Sequence, residues 1–317
     1  MAEIPTKARA VVIGGGVSGC SVAYHLAKAG WTDVVLLERR KLTSGTTWHA
    51  AGLIGQLRGS ANMTRLAKCS RDLYIKLEAE TGVATGMKQV GSISVALTAE
   101  RHEELLRNAT IARIFGVDVA EISPNEAKSM YPHLNIGDVV GAVHLPGDGQ
   151  CDPANIAMAL AKGARMQGVK IFEMTKVTKV TTADGRVTGV DYETDEGPGH
   201  IQADVIVNCG GMWGRDLAAQ NGVTLPLHAC EHFYLITEPV AGIDLNLPVL
   251  RVPDECAYYK QDAGKMMLGA FEPKAKPWGM DGIRPDFEFD TLPEDWDHFM
   301  PILEMATKRM PLFETAG

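Results

Sequence analysis

The stretch AVVIGGGVSG, residues 10–19, governs how the rest of the chain is read. Four apolar residues run into three glycines. The spacing that resumes in VSGCSVAYHLAKAG (17–30) is that of a helix closed by Gly30. DVVLLE (33–38) then reads as a second strand ending at Glu38, so the first forty residues form a strand–helix–strand unit. Gly14-x-Gly16-x-x-Gly19 alone is a weak signal. Placed after a strand, opening a helix and followed by a strand-end carboxylate, it has the full context of a dinucleotide-binding unit.

Each residue of that unit has a physical task. Gly14 permits the tight turn, Gly16 lets the backbone approach a pyrophosphate, and Gly19 lets helix and strand pack closely. The helix N-terminus offers unpaired N–H donors to phosphates. Glu38 is expected to accept from the adenosine ribose, and a carboxylate there disfavours a 2′-phosphate, which argues against NADP and leaves FAD and NAD. ADVIVNCGGMWG (203–214) repeats the same grammar, so Gly210 and Gly211 are expected to cross close to the dinucleotide. Two-domain flavoproteins use such a late strand and an NAD-dependent dehydrogenase has no obvious need of it, which favours FAD.

Composition sets the outer limits. With 31 basic against 39 acidic residues the net charge of −8 argues against a nucleic-acid surface. Six cysteines show no CxxC or Cys/His zinc spacing, so they read as reduced, buried thiols, and no metal site is expected. No apolar run approaches a membrane span. About eight residues precede the first strand, too few for a secretory or transit peptide, so the expected location is cytoplasmic.

Further along, residues 62–82 carry helical periodicity with Met63, Leu66, Leu73 and Leu77 on one broad face, and QVGSISVAL (89–97) alternates as a half-buried strand. An amphipathic helix follows Thr98, a candidate N-cap. After the turns of LPGDGQCDP come a helix at 154–168, a strand VKIFEMTKV (169–177) and a hairpin about Asp184-Gly185. From residue 229 the texture turns to strands, ACEHFYLITEP, LPVLRVP, CAYYKQD and KMMLGAFE, with a helix near 293–310. The expected fold class is α/β: a Rossmann-like FAD-binding domain (1–86 and 150–222) interleaved with a substrate domain (87–149 and 223–317) built on a mainly antiparallel sheet.

SGTTWHAAGL (44–53) then acquires a reason. Small residues, Ser44, Gly45, Thr46, Thr47, Ala50, Ala51 and Gly52, allow backbone to lie against a flat ring or a pyrophosphate. His49 either makes a local hydrogen bond or stands at the ring, where a neutral imidazole is a competent nucleophile. IGGGVSGCSVAYHLAKAG with LLERRKLTSGTTWHAAGL, continued through QVGSISVA, LPGDGQCDP, ADVIVNCGGMWGRD, EHFYLITEP and LPVLRVPDECAYYKQD, resembles the N-terminal half of the dimethylglycine dehydrogenase and sarcosine dehydrogenase family, of the D-amino-acid-oxidase fold group. The resemblance implies FAD bonded covalently to His49. It implies oxidative demethylation of an N-methyl amino acid, with hydride passing to FAD and an iminium hydrolysed to formaldehyde or captured by tetrahydrofolate. It places an active-site histidine and tyrosine at His232 and Tyr259. The chain ends at RMPLFETAG, before the family's flavin-closing segment and folate-binding region.

Demethylation needs an unprotonated amine, hence a proton acceptor or a site that lowers the amine's pKa. His232 is the histidine best suited, sharing a strand face with Tyr234. Tyr258 and Tyr259 point to opposite faces, and the residues alone favour neither. The substrate carboxylate calls for an arginine, Arg58 or its competitor Arg251. His25 and His133 read as packing or capping residues. Two other readings stand beside this one: an NAD-dependent dehydrogenase, and a non-catalytic flavin-binding subunit. Oxygen and an electron-transfer protein both remain open as electron acceptors.

Overall fold

In the computed structural model, which describes residues 3–317, β1 (Lys7–Ile13) leads through the glycine turn into α1 (Val17–Lys28), and β2 (Val34–Leu37) returns parallel to β1. The chain continues through β3 (Leu53–Ile54), α2 (Ala61–Thr81), β4 (Ser92–Ala96), α3 (Ala99–Ile114), β5 (Ala120–Ile122), α4 (Pro124–Met130) and β6 (Gly141–Leu145). Next come β7 (Gly149–Gln150), α5 (Pro153–Met166), β8 (Lys170–Phe172), β9 (Lys176–Ala183), β10 (Arg186–Thr194), β11 (Gly197–Asn208) and α6 (Gly214–Ala219). β12 (Tyr234–Ile236), β13 (Val249–Val252), β14 (Ala257–Asp262), β15 (Lys265–Ala270) and α7 (Trp296–Arg309) complete it.

The first sheet runs β8-β2-β1-β11-β10-β9, parallel from β8 to β11 and antiparallel beyond. Its centre is buried on both faces, which is why AVVI shows no alternation. Ala10, Val12 and Leu36 pack with α1 and α5 on one side, while Val11, Ile13 and Val35 meet Val190 and Ile201 on the other. Gly163 lets α5 close on α1, since a Cβ there would stand 2.8 Å from the Tyr24 ring.

The second sheet runs β12-β15-β14-β13-β4-β6-β5 and is antiparallel except where β13 meets β4. One face, Ile93, Val95, Leu250, Tyr259 and Leu268, packs with Tyr131, Phe299, Ile302 and Ala306 from α4 and α7 and the turn between α4 and β6. Buried Arg309 pins α7 in place by donating to Asp138, Glu255 and the Asn135 carbonyl. The opposite face is open near β13 and β14. Two layered sheets, one Rossmann-like and one mainly antiparallel, thus agree with the expected class.

Several local expectations need correction. VKIFEMTKV is two strands, because Met174 takes a left-handed conformation (φ 55°) and the Met174 and Thr175 amides turn to the carbonyls of Arg40 and Glu38. ACEHFYLITEP contributes only Tyr234–Ile236 to the sheet, so His232 precedes the strand. On α2 Leu77 is buried, but Met63 and Leu66 are exposed. The cysteines are unbridged; Cys20 and Cys151 are buried, with thiols pushed up to about 12 by burial, whereas Cys69 and Cys230 are exposed. Among the described residues no helix is long and apolar enough to cross a membrane.

Candidate active site

The glycine turn is shaped chiefly by backbone crowding. Gly14 has φ +106°, and a Cβ there would lie 2.4 Å from the Cys209 carbonyl oxygen at the end of β11. A Cβ on Gly19 would lie 1.8 Å from the Gly14 carbonyl. The chain just after β11, with Cys209, Gly210 and Gly211, therefore passes directly beside the turn. At the start of α1 the Val17 amide donates to Thr47 Oγ1 at 3.0 Å, while the Ser18 and Gly19 amides have no acceptor among the described residues. Glu38 accepts from the Gly15 amide at 2.6 Å and the Arg40 amide at 2.9 Å. Burial raises its carboxyl pKa despite those two bonds. A carboxylate has about four acceptor positions, so ribose hydroxyls would add to these bonds rather than replace them.

The SGTTWHAAGL segment runs from this turn to a large cavity. Ser44 and Thr47 are buried, and Thr46 and His49 line the cavity. Trp48 meets His49 edge to face at 5.0 Å, and Arg39 stacks over Trp213 at 3.7 Å. The indole nitrogens of Trp48 and Trp213 are buried without a hydrogen-bond partner among the described residues. The unpaired amides at the helix N-terminus and the glycine turn beside them fit the phosphates of a bound dinucleotide. Gly52 also lines the cavity, but its need for glycine has another origin: φ is +72°, and a Cβ would meet the Cys151 carbonyl at 2.2 Å where β3 crosses β7.

Burial lowers the pKa of His49, leaving a neutral imidazole at neutral pH. A base whose folded pKa lies below the ordinary histidine value binds fewer protons folded than unfolded. Stability is therefore fully present above about pH 6.5 and is lost as the pH falls through that value toward the folded pKa. We expect His49→Asn to remove this part of the acid sensitivity in urea unfolding of the flavin-free protein. Parallel pH profiles for the two proteins would refute the assignment.

The cavity, about 1420 Å³, lies between the His49 segment and the open face of the second sheet. The strand register builds that face as one row: Ser94 on β4 opposes Arg251 on β13, which opposes Tyr258 on β14, then Gly269 on β15 and Tyr234 on β12. Gly269 makes room for Tyr258, since a Cβ there would stand 2.1 Å from its ring. Tyr259 lies on the opposite face, fully buried among core side chains, so of these two adjacent tyrosines it is Tyr258, and not Tyr259, that lines the cavity, together with Tyr234. Burial pushes the Tyr258 hydroxyl up to about 12, which keeps it a hydrogen-bond donor.

Both candidate arginines line the cavity. Burial foremost, and then neighbouring Arg58, lowers the pKa of Arg251, with Asp148 opposing. Arg58 donates to the Leu57 carbonyl at 3.0 Å. Buried Asp148 accepts from the Gln56 amide, Gln56 Nε2 and Ser92 Oγ, and so fixes the floor beneath the pair. Lys260, two residues beyond Tyr258, is buried and donates to the Ala51 carbonyl at 3.0 Å, tying β14 to the His49 segment.

His232 lines the cavity from outside the strand, its ring stacked on Phe271 at 5.6 Å. Its Nδ1 lies 2.8 Å from Glu272 Oε2. Glu272, Asp148 and Lys260 were not singled out from the sequence. Only Lys260 carried a usable signal, the period-two placement beside Tyr258. Asp148 sits in a turn, and Glu272 just past a strand end.

Comparison with known proteins identifies the family. Residues 9–316 match the family described as FAD dependent oxidoreductase. The chain is 41% identical to 4-methylaminobutanoate oxidase (formaldehyde-forming) of Paenarthrobacter nicotinovorans, covering 99% of this chain and 38% of that protein. It is 38% identical to human mitochondrial sarcosine dehydrogenase, covering 99% and 34%. It is also 41% identical to the mouse mitochondrial pyruvate dehydrogenase phosphatase regulatory subunit, covering 98% and 35%. The chain thus spans about a third of the length of these relatives. The crystal structure of L-proline dehydrogenase from P. horikoshii superposes with a TM-score of 0.86 at 28% identity, over 99% of this chain and 79% of that one. Matched to the family model across nearly its whole length, the chain belongs to the FAD dependent oxidoreductase family.

Proposed function

We propose that the site oxidises the N-methyl carbon of a small N-methyl amino acid of the sarcosine, dimethylglycine or 4-methylaminobutanoate class. The observation that carries this reading is the row Ser94–Arg251–Tyr258 facing the His49 segment across the cavity, with Arg58 beside it. Bound FAD supplies the acceptor for the hydride that leaves the N-methyl carbon. The protein does the rest. Arg251 and Arg58 hold the carboxylate through charge-assisted hydrogen bonds. The Tyr258 hydroxyl donates to the substrate, and His232 takes the ammonium proton so that the nitrogen lone pair is free. Release of formaldehyde and capture by tetrahydrofolate both lie downstream of that step.

We further read Gly14, Gly16, Gly19, Glu38, Ser44, Thr46, Thr47, Gly52, Gly210 and Gly211 as cofactor contacts, with His49 as the covalent attachment point. Its neutral ring and its place at the cavity support this. Oxygen or an electron-transfer protein would complete turnover.

The test is anaerobic addition of sarcosine, dimethylglycine and 4-methylaminobutanoate to the purified yellow protein. At least one is expected to abolish the flavin's visible absorbance, and the intact mass is expected to carry a flavin adduct that His49→Ala lacks. Yellow protein reduced by none of them would favour a non-catalytic flavin-binding subunit, the reading closest to the mouse relative's name. Colourless protein that reduces NAD would favour a nicotinamide dehydrogenase.

A further inference from the structure

We propose that Glu272 is the positioning residue for His232, fixing the imidazole proton on Nδ1 and leaving Nε2 as the basic nitrogen of a ring that lines the cavity. This rests on the reading above of His232 as proton acceptor and extends it to a residue forty positions away. Glu272 Oε2 lies 2.8 Å from His232 Nδ1, and its Oε1 faces the Phe233 amide at 3.5 Å. The Glu272 side chain is only 4% exposed, against 43% for His232. A carboxyl buried in this way has few reasons to be there other than its partner.

The direction of the bond follows from ionisation. Burial pushes the Glu272 carboxyl up, but the His232 hydrogen bond, its own amide and the Phe233 amide outweigh that, and it stays below the usual range. An ionised carboxylate only accepts, so Nδ1 must carry the proton, and a neutral imidazole then has its lone pair on Nε2. The surroundings hold the ring still. Phe271 stacks on His232 and also meets Tyr258 at 5.4 Å, with the Arg251 guanidinium 5.9 Å from its ring. On the far side His298 of α7 places Nε2 3.9 Å from Glu272 Oε1. The titratable and charged groups around the pair are thus Tyr258, Arg251 and His298, and among the described residues none of these three reaches Glu272 at hydrogen-bond distance, whereas His232 does.

The test is ¹⁵N spectroscopy of the flavin-loaded protein carrying labelled histidine, with His232 assigned by its loss in His232→Asn. Neutral His232 is expected in the Nδ1–H form. Glu272→Gln, which keeps the volume and removes the charge, is expected to mix the tautomers. It should also lower kcat by about 10- to 100-fold with KM for the amine little changed, because carboxylate binding belongs to the arginines. Glu272→Asp, which keeps the charge, should restore much of both signals. Neutral wild-type His232 with its proton on Nε2 would overturn the proposal, whatever the variants do and even if Glu272→Gln fails to fold. A tautomer change in Glu272→Gln at unaltered kcat would uphold the positioning role and instead remove His232 as the proton acceptor.

Discussion

Gly19→Ala is expected to yield protein that retains little flavin and melts several degrees below wild type. The added Cβ would stand 1.8 Å from the Gly14 carbonyl oxygen, and that atom is backbone, held in the turn between β1 and α1. No side chain can rotate to relieve the overlap, so the first turn of α1 must swing away from β1. Overpacking costs ~1–3 kcal/mol where side chains can yield, and a backbone clash belongs at or above the top of that range. The same movement displaces the Ser18 and Gly19 amides, which have no acceptor among the described residues and so are free to bind a phosphate. Gly30→Ala is the control. Gly30 also has positive φ (+80°), yet a Cβ added there would meet no atom within 4 Å, so a cost of about 1 kcal/mol with flavin retained is expected. Thermal melting and the bound flavin-to-protein ratio decide the matter. Gly19→Ala protein with wild-type flavin content and melting temperature would show that the turn is not the cofactor's anchor.

Tyr258 and Tyr259, adjacent in sequence, should behave as opposites. Tyr259 sits between Leu250 and Leu268 on the core face, with its ring 6.1 Å from Phe313 and its hydroxyl buried without a partner among the described residues. Removing an unpaired buried hydroxyl is neutral or favourable, so Tyr259→Phe should leave turnover unchanged and stability equal or higher by about 1 kcal/mol. Tyr259→Ala instead empties a core position, at about 3–5 kcal/mol. Tyr258→Phe should fold normally and lose about 10- to 100-fold in kcat/KM, the effect of losing a hydrogen bond of ~1.5–3 kcal/mol to a charged group. A turnover defect in Tyr259→Phe with none in Tyr258→Phe would reverse the assignment and return the role to Tyr259.

The contrast between these two residues shows where sequence reading stops. Period-two alternation establishes that they face opposite sides of β14. It says nothing about which side is covered. That is settled by α7, whose Phe299 and Ile302 close over the Tyr259 face and leave the Tyr258 face to the cavity. Gly269, which a sequence reader would pass over as one more strand glycine, is the space into which the Tyr258 ring fits.

The dinucleotide unit was legible because its requirements are local: a turn, a close approach and a strand-end carboxylate, all within 38 residues. The same holds for the fold class, since apolar runs, helical periods and hairpin residues each act over a few positions. Pairings at long range were not legible. Glu272 lies forty residues from His232, and the row from Ser94 through Arg251 to Tyr234 exists only once five strands have taken their register. Local sequence determines which way each side chain points along its own strand. Only the packed structure determines what stands opposite it, because register and face are chosen by the burial of the whole sheet and not by any one segment.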